Sequence, residues 1–249
     1  MMVEAAGEER SFRVRFTALL AMLVLFAFGL GSKPVLAEAD PWQGTNRKIF
    51  KFNDGLDRWV LKPVARGYDR LLPSFVKRGV GNFFTNLGTP AVALNQLLQG
   101  KPGKAAADTG RFLLNSTAGV FGLVDVAAAN GLPPNDEDFG QTFVVWGAPN
   151  GPFVTIPFRG PATVTHAAGM VLDFFTNPVR LVSPARDRYL LNGLDIVDNR
   201  ASLLPTESLI TGDKYLFLRD AYLQSREFLI NDGILEDDPF LDEFDDEYE

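Results

Sequence analysis

Cysteine is missing from the 249 residues, and histidine occurs once, as His166. Without thiols the chain can build neither a disulfide framework nor a zinc-thiolate site, and it offers no cysteine to an acyl anchor. A single imidazole excludes helices with paired zinc-binding histidines and two-histidine phospholipase D sites. No G-x-S-x-G elbow occurs, which argues against a lipase on the α/β-hydrolase fold. A Ser-His-Asp triad around His166 stays open, because its members need not be neighbours in sequence. The simpler place for His166 is a helix surface or the core. Asp136, Glu137 and Asp138 form an acidic run beside Pro133-Pro134. That run suits either a divalent cation or, more simply, a solvated turn. No metal centre and no cofactor is expected.

Long hydrophobic runs are also missing. Outside the first 37 residues no stretch reaches the roughly 20 apolar residues that a helix needs to cross a bilayer. Inside them, the apolar segment 16–30 follows Arg10, Arg13 and Arg15 and precedes Val35-Leu36-Ala37. This is the pattern of a secretory signal peptide, so residues 1–37 are expected to be a leader cut after Ala37. The remainder is long enough for one substantial core.

Positive charge is scarce. Lys plus Arg total 24 against 31 acids, a net charge of −7. Ten of the acids fall in residues 232–249, which hold no basic residue, so the rest of the exported chain is close to neutral. The low pI describes the tail, and nothing builds the basic face that nucleic acid requires. Residues 234–249 cannot bury enough apolar surface to fold alone and are expected to be disordered until a partner takes them. Phe240 and Phe244 are their candidate anchors for a soluble partner.

What is present in quantity is phenylalanine, 21 residues against five Tyr and three Trp. A filled aromatic core accounts for most of them, but the preference for Phe over Tyr also suits acyl chains. Ile49, Phe52, Leu56, Trp59 and Val60 share one helical face, after which Pro63 is expected to interrupt. A second amphipathic stretch carries Phe75, Val76, Val80, Phe83, Phe84 and Leu87. Gly88-Thr89-Pro90 should end it, with Pro90 opening the next helix. Residues 101–130 are the most apolar part of the body. Two β-leaning runs, 142–146 and 153–158, flank a Gly/Pro-rich segment, and together they suggest an irregular hairpin at about 140–160. Helical patterns return over 164–175, 187–204 and 206–231. No internal repeat is found.

Five strings carry a resemblance to a known family. They are D-P-W-Q-G-T-N-R-K-I-F-K-F-N-D-G-L-D-R-W-V-L-K-P-V-A (40–65), N-F-F-T-N-L-G-T-P-A-V-A-L-N-Q-L-L-Q-G (82–100), R-F-L-L-N-S-T-A-G-V-F-G-L-V-D-V-A (111–127), D-F-G-Q-T-F-V-V-W-G-A-P-N-G-P-F-V-T-I-P-F-R-G-P (138–161) and D-K-Y-L-F-L-R-D-A-Y-L-Q-S-R-E-F-L-I-N-D-G (213–233). In this order they resemble the MlaA (VacJ) family and span nearly all of 40–233. The resemblance implies a mainly α single domain over 38–233, its amphipathic helices forming a ring embedded in the outer membrane from the periplasmic side. It implies removal of mislocalised phospholipid from the outer leaflet and delivery to a periplasmic MlaC-like carrier, porin trimers holding the ring in some members, and no enzymatic chemistry. Family members are often lipoproteins. This chain lacks the cysteine, so it is expected not to be one, and to rely on apolar helix faces.

A charged headgroup passing hydrocarbon needs a polar path. Asn46, Asn53, Arg111 and Asn115 are the candidates for the polar side of a lipid channel, and Phe50, Phe52, Phe83 and Phe84 for acyl-chain or core contacts. Arg111 is the best headgroup ligand, since a guanidinium holds phosphate through two hydrogen bonds; a structural salt bridge is its alternative. A lipid hydrolase using His166 and an envelope scaffold that moves no lipid are the rival functions.

Overall fold

The computed structural model describes residues 40–233. The expected leader, 1–37, and the acidic tail, 234–249 with Phe240 and Phe244, lie outside the described residues.

Helix α1, Gln43–Leu56, widens into a π turn at Asp57–Leu61 and continues as α2, Lys62–Leu71. Pro63 lies in the first turn of α2. Proline lacks an N–H and crowds the carbonyl four residues back. One wider turn relieves that crowding without breaking the helix. The expected interruption is therefore a bulge.

Helix α3, Ser74–Leu98, also runs through its expected stop, with Pro90 inside it. An interior proline costs a helix about 3 kcal/mol. Burial outweighs this: α3 forms a helical hairpin with α4, Pro102–Thr117, and puts Asn86, Thr89, Ala93 and Gln96 into that contact. Gly100, at φ 77°, makes the turn between the two helices.

After a loop and the short α5, Val126–Ala129, comes α6, Phe139–Val145. The run 142–146, expected as a strand, lies in this helix and the residue that follows it. Asp138 overrides its β-leaning residues by capping the helix, accepting the Gln141 N–H at 2.8 Å. The hairpin lies further on: β1, Phe153–Ile156, pairs antiparallel with β2, Gly160–Thr163. Then follow α7, Val164–Thr176, a 3-10 turn at Pro178–Leu181, α8, Ala185–Ser202, a second 3-10 turn at Pro205–Leu209, and α9, Lys214–Ile230. The helix expected over 206–231 is thus split, at Gly212 (φ 67°), with Asp213 capping α9.

Helices α6 and α7 meet backbone to backbone. A Cβ on Gly169 would stand 2.2 Å from the Gly140 amide nitrogen. No side chain fits there.

Side chains are distributed against the usual rule for a water-soluble protein. The largest fully buried ones are all polar: Arg111, Gln96, Gln141, Asn95, Thr142, Thr163 and Asp108. The buried apolar residues are mostly alanine. Large apolar groups stand outside instead, with Trp59 81%, Leu71 82%, Phe121 78% and Leu181 87% exposed. No described helix is long and apolar enough to cross a membrane.

Gly169→Ala should lower folding stability by about 3 kcal/mol, the upper range for overpacking. Chemical denaturation of the detergent-solubilised protein measures this.

Candidate functional site

The hairpin leaves one edge of β1 unpaired by β2, and helix α1 sets one carboxamide, Asn46, against that edge and a second, Asn53, against the hairpin's turn. Asn46 donates from Nδ2 to the Phe153 carbonyl at 3.1 Å and accepts the Thr155 N–H at 2.9 Å. Asn53 repeats the pattern, donating to the Ile156 carbonyl at 2.9 Å and accepting the Phe158 N–H at 2.8 Å. Asn46 thus makes the pair of bonds that a neighbouring strand would make. Asn53 binds the turn, where the Ile156 carbonyl also accepts the Arg159 N–H at 3.2 Å. Asn46 is also held by Asp40 at 2.7 Å. Both asparagines bind backbone, Asn46 in the interior and Asn53 at the lining of a cavity.

Beyond this clamp lies a cavity of about 480 Å³, walled by α1, the hairpin, the second 3-10 turn and the start of α9. Its wall is largely apolar, from Phe50, Phe153, Leu203, Ile210, Phe217 and Leu218. Phe50 meets Tyr215 edge-on with centroids 5.5 Å apart.

Charged residues form a collar at one side. Arg200 holds Asp57 with two bonds of 2.6 and 2.9 Å and also pairs with Glu207. Lys62 reaches Glu207 at 2.5 Å, and Lys214 reaches Asp54 at 2.6 Å. Burial works to raise the carboxyls of Asp54 and Glu207, but the cations beside them win and hold both below the ordinary range. The Asp57 salt bridge outweighs burial and raises Arg200.

The expected site residues separate into different places. Phe50 and Asn53 line the cavity. Phe52 is half exposed and meets the exposed ring of Phe158 at 5.2 Å. Phe83 and Phe84 pair with each other on α3, and Phe84 borders a separate cavity of about 150 Å³ beside Asp173 and Asp195. Arg111 is buried and bound to the Leu132 carbonyl and, at 2.8 Å, to Asp125. Asn115 shares that carboxylate at 2.9 Å. The salt-bridge alternative therefore holds for Arg111, and its donors point inward rather than to a headgroup. The residues sequence reasoning missed are Asp54, Asp57, Arg200, Glu207 and Lys214.

The acidic run is solvated only at its start, where Asp136 is exposed. Glu137 is buried and takes hydrogen bonds from Gln99 at 2.7 Å and Lys101 at 3.4 Å. Asp138 is gripped by Arg226, with one bond of 2.7 Å. His166 stacks on Tyr222, with Nδ1 2.6 Å from its hydroxyl and Nε2 3.6 Å from Asp138. Burial, helped by Arg226, pushes His166 down to about 4. Burial, helped by Asp138 and opposed by the Phe139 N–H, pushes nearby Asp173 up to about 6.

A helical protein that buries its amides, wears its aromatic rings outside and encloses an apolar cavity with a charged mouth belongs to the class that works at a lipid boundary. More narrowly, the chain belongs to the MlaA lipoprotein family, whose profile matches residues 38–229. It is 34% identical over 205 residues to the "Intermembrane phospholipid transport system lipoprotein MlaA" of Escherichia coli, covering 79% of this chain and 80% of that one. The protein of the same name in Haemophilus influenzae is 31% identical over 227 residues, covering 88% and 91%. A solved structure described as "Structural basis for maintenance of bacterial outer membrane lipid asymmetry" superposes with a TM-score of 0.66 at 31% identity. It covers 77% of this chain and 98% of that one. The family and both relatives are named lipoproteins, against the expectation that this chain is not one; the 249 residues hold no cysteine to acylate.

Replacing buried Asn46 by Leu should cost about 1–3 kcal/mol, because it takes a hydrogen bond from both the Phe153 carbonyl and the Thr155 N–H; urea midpoints measure it. Between about pH 4 and 6, neutral His166 makes stability rise with pH, since only the unfolded imidazole is then protonated. Protonated Asp173 makes it fall over the same window, since only the unfolded carboxyl has ionised. Asp173→Asn should therefore steepen the rise and His166→Gln should turn it into a fall, read as denaturation midpoints against pH.

Proposed function

We propose that this chain is a phospholipid-transport protein of the outer membrane. It removes phospholipids mislocalised to the outer leaflet and passes them to a periplasmic carrier, so keeping the two leaflets different. The observation that carries this is the outward placement of large apolar side chains together with a cavity whose lining is mostly apolar and includes paired charges. Hydrocarbon covers the first at no cost, and the second shelters part of an acyl chain while its headgroup stays among polar partners. Membership of the MlaA family and the printed names of its relatives support the same reading.

The finer parts of the proposal follow the family resemblance. The helices form a ring seated from the periplasmic side after export by the signal peptide. The soluble acceptor is an MlaC-like carrier, for which Phe240 and Phe244 of the acidic tail are candidate contacts, and porin trimers are candidate supports. The exposed apolar faces take part in the seating.

The protein acts by transfer and not by hydrolysis. The polar partners of the His166 ring are Tyr222 and Asp138, and neither is the serine or cysteine nucleophile that a triad needs.

In a deletion strain, outer-leaflet phospholipid should rise, and the wild-type chain should restore it. Ile210→Trp, which fills the cavity from a loop position, should fail to restore it at equal abundance. Full restoration by that variant would detach the activity from the cavity. His166→Gln should restore it normally and release no less lysophospholipid than wild type.

A further inference from the structure

The charges at the cavity mouth alternate. Along one line run Lys62, Glu207, Arg200 and Asp57, each bonded to the next, and beside them Lys214 bonds to Asp54. With Arg58, which also bonds to Asp54 at 2.6 Å, four cations hold three carboxylates, and Asp57 is the one that depends on Arg200 alone. Arg219, a further cation of the wall, is occupied by Asp220 at 2.8 Å. None of the three carboxylates is fully exposed: the side chains of Asp54, Asp57 and Glu207 keep 15%, 21% and 25% of their accessible surface.

This arrangement decides which headgroup can enter. A lipid phosphate that takes the Nε and Nη2 edge of Arg200 displaces Asp57, whose cation is Arg200; Glu207 keeps Lys62, and Asp54 keeps Lys214 and Arg58. If the rest of the headgroup is uncharged, Asp57 is left part-buried without a cation, which is strongly unfavourable. A headgroup with its own ammonium gives Asp57 a new partner. Two of the existing contacts already show the geometry required. Lys62 on Glu207 at 2.5 Å and Lys214 on Asp54 at 2.6 Å are primary ammonium groups hydrogen-bonded to carboxylates. A primary ammonium can take over such a contact because it brings three N–H donors, whereas a trimethylated one brings none.

We infer that the cavity selects phospholipids whose headgroup is a zwitterion ending in a primary ammonium, the ethanolamine type, over choline types and over net-anionic lipids. The inference rests on the cavity being a phospholipid site, as proposed above. The phosphate lies on Arg200, the headgroup ammonium on the freed Asp57, and an acyl segment against the Phe50, Phe153 and Phe217 side of the cavity.

The test uses the full chain in detergent, mixed with vesicles of equal phosphatidylethanolamine, phosphatidylcholine and phosphatidylglycerol, then reisolated and its bound lipid counted by class. Ethanolamine lipid should exceed glycerol lipid about tenfold, the factor expected when one part-buried carboxylate would otherwise lose its partner. Choline lipid should fall between them. Asp57→Asn with Glu207→Gln leaves Arg200 and Lys62 without carboxylates and should shift the bound lipid toward phosphatidylglycerol. Glu207→Gln alone, in a short 3-10 turn, gives the same readout in smaller measure should the double variant fail to fold. Bound lipid that mirrors the vesicles in the wild-type protein overturns the inference and leaves the cavity a lipid site. A wild-type protein that retains no phospholipid removes the cavity reading itself.

Discussion

Two asparagine side chains on α1 hold the cavity wall in place. A two-stranded hairpin is marginal by itself in water, and one edge of β1 has no strand beside it. Asn46 supplies the missing hydrogen bonds from a helix, and Asn53, about two helical turns on, holds the hairpin's turn. Because each amide both donates and accepts, the hairpin is fixed in register as well as in position. Phe153, Thr155, Gly160 and Pro161 become one wall of the cavity through that docking. Phe158 is held at φ 65°, a conformation uncommon outside glycine, with its amide bonded to Asn53 and its ring against Phe52.

The interior follows a second constraint. Carboxamides, hydroxyls and the guanidiniums of Arg111 and Arg226 fill space that leucine and phenylalanine would fill in a protein made for water. Most of these groups satisfy one another or a nearby backbone carbonyl, as Arg111, Asn115 and Asp125 do around the start of α5. Such networks are directional, so they fix the relative placement of helices that share little apolar contact. The polar interior and the apolar exterior are two sides of one adaptation, since the large apolar side chains have been moved to where hydrocarbon can cover them.

Much of the helical skeleton was readable from period and capping alone. The pattern over 164–175 emerges as Val164–Thr176, and the amphipathic face through Phe52 and Trp59 is real. Errors fell where tertiary contact outweighs local preference: Pro63 became a bulge, Pro90 was carried through by α4, and the β-leaning run at 142–146 was made helical by Asp138. The family resemblance was legible because its five strings are long and collinear. The site was legible only in part. Arg111 sits beside an apolar run, which reads in one dimension like a headgroup ligand, yet its partner Asp125 lies 14 residues on and turns it inward. The collar could not be seen at all, because Arg200 and Asp57 stand 143 residues apart and Lys214 and Asp54 stand 160 apart. Only the folded chain brings those charges to one mouth.

Rings as open as Trp59, Phe121 and Phe158 also change what thermal stability means for this molecule. Amphiphile that coats the native surface and not the unfolded chain stabilises by mass action, with each tenfold excess over its dissociation constant adding about 1.4 kcal/mol. The melting temperature is thus a joint property of polypeptide and amphiphile, and it moves with the detergent chosen to purify the protein. In plain buffer the same rings find each other, so the chain's journey from ribosome to membrane calls for an escort.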